Sequence, residues 1–139
     1  SLIEFEPALE KSGATAELKR EPQEPPKGYP LGFVLKACPE IVDYAVDGIS
    51  SWRDLMAAGG PGGGDLGVSP APRAGASRVM GPENAAIAVA CILQRAQHIN
   101  SAGGYLRALT EKASAGEFTV GPMLMAAFKA NGSTARMAG

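Results

Sequence analysis

The chain has 139 residues, 45% of them hydrophobic but only 6% aromatic, and a net charge of −1. That length supports one domain, and a net charge this close to zero argues neither for nor against nucleic acid. No run approaches the roughly 18 apolar residues of a membrane-crossing helix, and no secretory leader is expected. With so few aromatics, the core must be built from Ala, Leu, Ile, Val and Met. The 18 glycines and 11 prolines gather mainly in two zones, so the ordered core is expected to span only ~80–100 residues and to be marginally stable.

Residues 1–30 read as a flexible interdomain linker. Glu, Lys and Pro dominate them, and Glu24-Pro25-Pro26-Lys27-Gly28-Tyr29-Pro30 cannot continue a helix. Leu31 to Tyr44 places Leu31, Val34, Leu35, Cys38, Ile41 and Val42 at steps of three and four, the spacing of one helical face. Pro39 breaks that face, which predicts two pieces or a kink. Ser50 or Ser51 caps a short helix to about residue 58, with Trp52, Leu55 and Met56 inward and Trp52 as a core anchor.

A Gly/Pro-rich internal loop follows, from Gly59-Gly60-Pro61-Gly62-Gly63-Gly64 through Ser69-Pro70-Ala71-Pro72. Consecutive glycines lose much backbone entropy on ordering, so residues 59–70 are expected to be mobile. Pro72 and Gly75 disfavour a helix in what comes next. The glycines do not form a phosphate loop: Asp65 follows them, no Lys stands there, and no apolar strand precedes them.

The longest helix is expected over 82–99. Gly81 ends what precedes it, Pro82 suits its first turn, and Glu83 complements its dipole. Ala85, Val89, Ile92, Leu93, Ala96 and Ile99 form its buried stripe, with Gln94, Arg95, Gln97 and His98 largely on the other side. Asn100 or Ser101 caps a helix over 102–115 that turns Tyr105, Leu106, Leu109 and Ala113 inward, and Gly116 suits its end. Thr119 caps a last helix over 121–130, ended by Asn131-Gly132, and 132–139 is a frayed tail. Period-two alternation is almost absent, Glu117 to Val120 coming nearest. The class is therefore all-α, five or six short helices, with the domain proper at 31–131.

The chemistry-bearing residues are few. His98 is the single histidine, with no spaced Cys, His and carboxylate set around it to hold a metal. Ser101 stands three residues on, but no carboxylate is placed to orient the imidazole. Glu83, Glu111 and Glu117 lie at helix ends, where capping accounts for them. Cys38 and Cys91 lie in apolar helical context and read as buried thiols of a reducing cytoplasm. The expectation is a non-enzymatic domain with no catalytic residue, metal or cofactor. Residues 73–139 hold seven bases against three acids, a mild excess of +4. Arg95, Arg107, Lys112 and Lys129 fall on the outer faces of the last three helices and are candidates for phosphate or partner contacts. Tyr105 beside Gly103-Gly104 is a candidate stacking platform, although packing of its ring in the core is the plainer expectation.

Three strings carry a resemblance: Val79-Met80-Gly81-Pro82-Glu83-Asn84-Ala85-Ala86, Ile99-Asn100-Ser101-Ala102-Gly103-Gly104-Tyr105-Leu106-Arg107-Ala108-Leu109, and Gly116-Glu117-Phe118-Thr119-Val120-Gly121-Pro122-Met123-Leu124-Met125. With Cys38-Pro39-Glu40-Ile41 and Ser51-Trp52-Arg53-Asp54-Leu55, they resemble the C-terminal domain of RepC, the replication initiator of alphaproteobacterial repABC plasmids, over roughly Gly28 to Asn131. The resemblance implies a domain supporting initiation at a plasmid origin, attached to an upstream winged-helix region that reads origin DNA. Origin DNA, host replication proteins and a second initiator copy are the implied partners. A generic helical protein-interaction module is the alternative. Between Trp52 and Val79 the chain departs from the family, with glycines and prolines where larger apolar groups are usual. That departure predicts looser packing.

Overall fold

In the computed structural model, the described residues are 28–60 and 67–138, with side chains described as far as Gly132. The chain divides into two units, Ser1–Pro30 and Leu31–Gly139. Most of the first lies outside the described residues, as does the expected linker character of 1–27. The second unit is all-helical among its described residues: α1 (Leu31–Ala37), a 3-10 segment (Pro39–Tyr44), α2 (Trp52–Ala57), α3 (Pro70–Met80), α4 (Pro82–Gln94), a 3-10 turn (Ala96–His98), α5 (Ala102–Ser114) and α6 (Val120–Ala138).

Helix α4 is the axle. Every residue from Ala85 to Leu93 is buried, so this is a helix apolar all round rather than a surface helix with one stripe. It touches α2, α3, α5, α6 and the 3-10 segment, while α3 packs most closely on α5 and α1 on α6. The small side chains of Ala85, Ala86, Ala88, Ala90 and Cys91 let these neighbours approach. Ile87, Ile92 and Leu93 fill the space between, joined by Ile41, Leu55, Leu106 and Leu124 from the other elements.

Pro39 separates α1 from the 3-10 segment as its missing N–H requires. Val34, Ala37, Cys38 and Ile41 continue one buried face across the break, but Val42 turns outward at 40% exposure. In α2, Ser51 Oγ accepts from the Asp54 backbone N–H at 3.1 Å and Leu55 is buried. Trp52 is only half-buried, so it is not the expected core anchor. On a helix of six residues the inward place is taken by Leu55.

The segment after Trp52 departs most from expectation. Gly59 and Gly60 are buried. The Gly59 N–H donates to Tyr44 O at 3.2 Å, and its carbonyl accepts from the Val68 N–H at 2.7 Å. Gly59 has φ +74°, and a Cβ there would stand 2.8 Å from Leu93 Cδ1. Both edges of the glycine zone thus pack against the core. Residues 61–66, the middle of the stretch expected to be mobile, lie outside the described residues. Helix α3 then forms in spite of its prolines and glycine. Pro70 and Pro72 lie in its first turn, where a missing N–H breaks no intrahelical bond. Pro72 and Ala76 are buried, and Gly75 is tolerated because packing on α4 and α5 outweighs its propensity cost of ~1 kcal/mol.

Helix α4 stops earlier than the apolar spacing suggests. Arg95 leaves helical geometry (φ −115°, ψ 26°), so Ala96 is exposed and Ile99 half-buried rather than part of the stripe. In α5 only Leu106 is buried, while Tyr105 is 37% exposed and so outside the core. Helix α6 does not end at Asn131-Gly132 but runs on to Ala138. Asn131 Nδ2 donates to Ala37 O at 3.1 Å and to Ala127 O at 3.0 Å, tying α6 to α1. Gly132 is buried, and a Cβ on it would meet the Phe128 ring at 2.5–2.9 Å. That ring stacks on Phe33 with centroids 4.5 Å apart and planes at 20°. The pair therefore serves packing, not termination.

Candidate functional site

Helix α5 carries three of the five candidate contact residues, so its local order matters. Ser101 Oγ accepts from the Gly104 N–H at 3.0 Å and fixes the first turn. Gly103 is a close-approach residue: a Cβ there would lie 3.3 Å from Pro72 Cγ, so the small residue lets the starts of α3 and α5 meet. Gly103-Gly104 is therefore ordered helix rather than a loose cap. Gly116 closes the end at φ +75°, its N–H donating to Ala113 O at 3.0 Å.

Arg107 and Lys112 on α5, Lys129 on α6 and Arg95 at the end of α4 are all exposed. An α-helix turns about 100° per residue. Tyr105 and Lys112 therefore share one flank of α5, within about 20° of each other over two turns. Arg107 lies about 140° around the helix from Lys112. So α5 brings Tyr105 together with Lys112 and sets Arg107 on its opposite flank. On α6, Lys129 follows Met125 by four residues, and Met125 is 46% exposed, giving that outer face a mixed apolar and basic character.

His98 sits exposed in the 3-10 turn, and the Ser101 hydroxyl is held by the α5 cap. Among the described residues, no three of the His, Cys, Asp and Glu side chains come together in a way that could hold a metal ion. None of the described helices is long and apolar enough to cross a membrane.

Three polar ties were not legible in the sequence. Arg73 donates to the Met56 carbonyl across the gap between α3 and α2. Its guanidinium is part-buried, and loss of water lowers its pKa from the ordinary value. It stands on the wall of a cavity of about 260 Å³ bounded by Pro70, Ser77, Ala86 and Val89, at the carbonyl end of α2 where a cation complements the helix dipole. Gln94 Oε1 accepts from the Glu40 N–H at 3.0 Å, joining the end of α4 to the 3-10 segment. Asn131 is the third. Each bridges elements distant in the chain, which leaves no local pattern to read.

These features define a class: a small helical domain around one buried axle, with polar outer helices suited to contact. The family described as "Replication protein C C-terminal region" matches residues 30–130, and the chain belongs to it. Two curated relatives share the name "Putative replication protein C". That of Rhizobium rhizogenes is 53% identical over 135 residues, covering 95% of this chain and 33% of its own length. That of Sinorhizobium fredii (strain NBRC 101917 / NGR234) is 51% identical over 141 residues, covering 99% of this chain and 35% of its own. The chain thus spans about a third of the relatives it matches. No solved structure matches it.

Proposed function

We propose that this domain supports initiation of replication at a plasmid origin, acting in the cytoplasm by contact and not by catalysis, as the C-terminal part of an initiator. The observation that carries the reading is the family match across nearly the whole helical unit, residues 30–130. Reading of the origin sequence belongs to an upstream region of the initiator. The present domain adds contacts through the exposed end of α4 and the outer faces of α5 and α6 with DNA phosphates, host replication proteins or a second initiator copy. Arg95, Arg107, Lys112 and Lys129 supply the charge, and Tyr105 beside Lys112 supplies an aromatic surface. The opposed placement of Arg107 and Lys112 on α5 favours a second reading, docking onto a protein partner without direct DNA contact, because one flat duplex surface engages both flanks poorly.

Two measurements separate these readings. The chain alone should bind duplex DNA weakly, without sequence preference and with strong salt dependence. Tight, sequence-specific binding at physiological salt would place sequence readout in this domain and overturn the division of labour. In an intact initiator, replacing Arg95, Arg107 and Lys112 together by Ala should leave folding nearly unchanged, since exposed charges contribute little, while lowering plasmid copy number. A folded triple variant that replicates normally would remove these residues from the contact surface.

A further inference from the structure

We infer that Cys38 and Cys91 form an oxidisable pair that closes to an intradomain disulfide, stapling the corner after α1 to the middle of α4. These are the two cysteines of the chain, and both are free. They stand 53 positions apart in sequence, yet Cys38 Sγ donates to Cys91 Sγ at 3.6 Å. The sulfurs are already neighbours, and closure shortens the gap between them to the roughly 2.05 Å of a disulfide.

Burial shapes how such a pair behaves. Cys38 is 0% exposed and Cys91 2%. The hydrogen bond to Cys91 and the loss of water push the Cys38 thiol well above its ordinary range, and the thiolate is the form that attacks. The closed fold therefore holds Cys38 as a thiol and keeps both sulfurs from solvent, and oxidation proceeds through local opening. The same burial selects the product. A bulky mixed disulfide does not fit at either position once the domain recloses, whereas the neighbouring sulfur is in contact. With a disulfide oxidant such as oxidised glutathione, one protein thiolate attacks the reagent and releases one glutathione thiolate. The second protein thiolate then attacks the mixed disulfide and releases the other. The protein gives up two electrons and two protons, and the oxidant is reduced to two thiols.

The position gives the bond a consequence. Cys38 lies at the joint between α1 and the 3-10 segment, outside helical geometry at φ −130° and ψ 67°. Cys91 lies in the buried run of α4. The loop so closed contains the 3-10 segment, α2, the glycine zone and α3, while α5 and α6 stay outside it. Cross-linking a loop of this length restricts the unfolded chain and so favours the folded one. Oxidation would lock the N-terminal half of the domain onto its axle without touching the outer faces of α5 and α6.

The test uses the reduced 139-residue chain incubated with oxidised glutathione, quenched in acid, alkylated and digested for mass spectrometry. The expected product is a monomer whose Cys38 and Cys91 peptides are linked with loss of two hydrogens, melting higher than the reduced chain and reverting with dithiothreitol. Cross-linking should be slower in buffer than in denaturant, at a rate that follows amide exchange of α4. Cys91→Ala, checked for folding by circular dichroism, should leave Cys38 without a lasting adduct under native conditions. Two alkylatable thiols remaining after the folded chain has been held through many opening times, stable glutathione adducts, disulfide-linked dimers, or an oxidised form that melts lower would each overturn the proposal.

Discussion

Asp54 receives two hydrogen bonds from Ser50, one from the backbone N–H at 2.9 Å and one from the hydroxyl at 3.1 Å. Donors aimed at the ionised form favour it, and the carboxyl pKa is lowered from its ordinary 3.8. Since the folded value lies below the unfolded one, the stabilisation is fully present above the unfolded value. It is lost as pH falls through the folded value. A carboxyl titration followed by NMR should therefore give Asp54 a midpoint below 3.8, and Asp54→Asn should narrow that acid dependence of melting. Gly132 makes a second residue-scale case. Alanine favours helix over glycine by ~1 kcal/mol, but here its Cβ would drive into Phe128 at 2.5 Å and displace the ring stacked on Phe33. Overpacking of this kind costs ~1–3 kcal/mol, so Gly132→Ala should lower the midpoint of urea unfolding. A rise would show that the ring yields freely. Read locally, Asn-Gly signals a helix end. The bonds from Asn131 to α1 and the Phe128 ring beneath Gly132 are contacts made after folding, and nothing in their neighbours' identities announces them.

At the scale of elements, α3 and α4 show what patterning can and cannot reveal. The caps at Ser51, Ser101 and Gly116 were legible, the first two to within one residue, because each is a local exchange of a backbone group for a side chain or a positive φ. The break in the 31–44 segment followed from Pro39 alone, although the choice between two pieces and a kink did not. Helix α3 was hidden because propensity argues against it and only tertiary packing argues for it. The early end of α4 was hidden because apolar spacing continues past the point where the backbone turns. Two small changes, one in α3 and one at the cap of α5, should differ in sign. Gly75 in α3 has open space around it, the nearest atom to an added Cβ being Arg78 Nη2 at 3.8 Å. Gly75→Ala should therefore stabilise the domain by ~0.5–1 kcal/mol. Ser101→Ala should destabilise it by ~1 kcal/mol through loss of the cap on α5. Chemical denaturation of the two variants side by side checks both, and a destabilised Gly75→Ala would mean α3 is not a continuous helix.

For the molecule as a whole, the candidate contact residues were legible as exposed charges on the last three helices. Their separation around α5 was legible too, since the five-residue spacing of Arg107 and Lys112 sets it at about 140°; which side of α5 meets α3 and α4 was not. Stability rests elsewhere, on the axle. Leu93 is 1% exposed and fills the space that Gly59 leaves open. Leu93→Ala should cost ~2–5 kcal/mol, a large share of the roughly 5–15 kcal/mol typical of a native protein. Calorimetric melting should fall steeply for this change and hardly at all for the Arg95, Arg107 and Lys112 triple substitution.

The run from Ala85 to Leu93 also has a life before folding is complete. It offers nine consecutive side chains without a charge or a proline, including the β-branched Ile87, Val89 and Ile92. Such a run is safe only while its neighbours cover it, and a chain emerging from synthesis has made α4 before α5 and α6 exist to do so. Unprotected, it is the kind of segment that pairs with copies of itself. Shortening the protein ahead of α6 should then yield insoluble material rather than a smaller domain, and heating the intact chain should precipitate it, so that its apparent melting point shifts with scan rate.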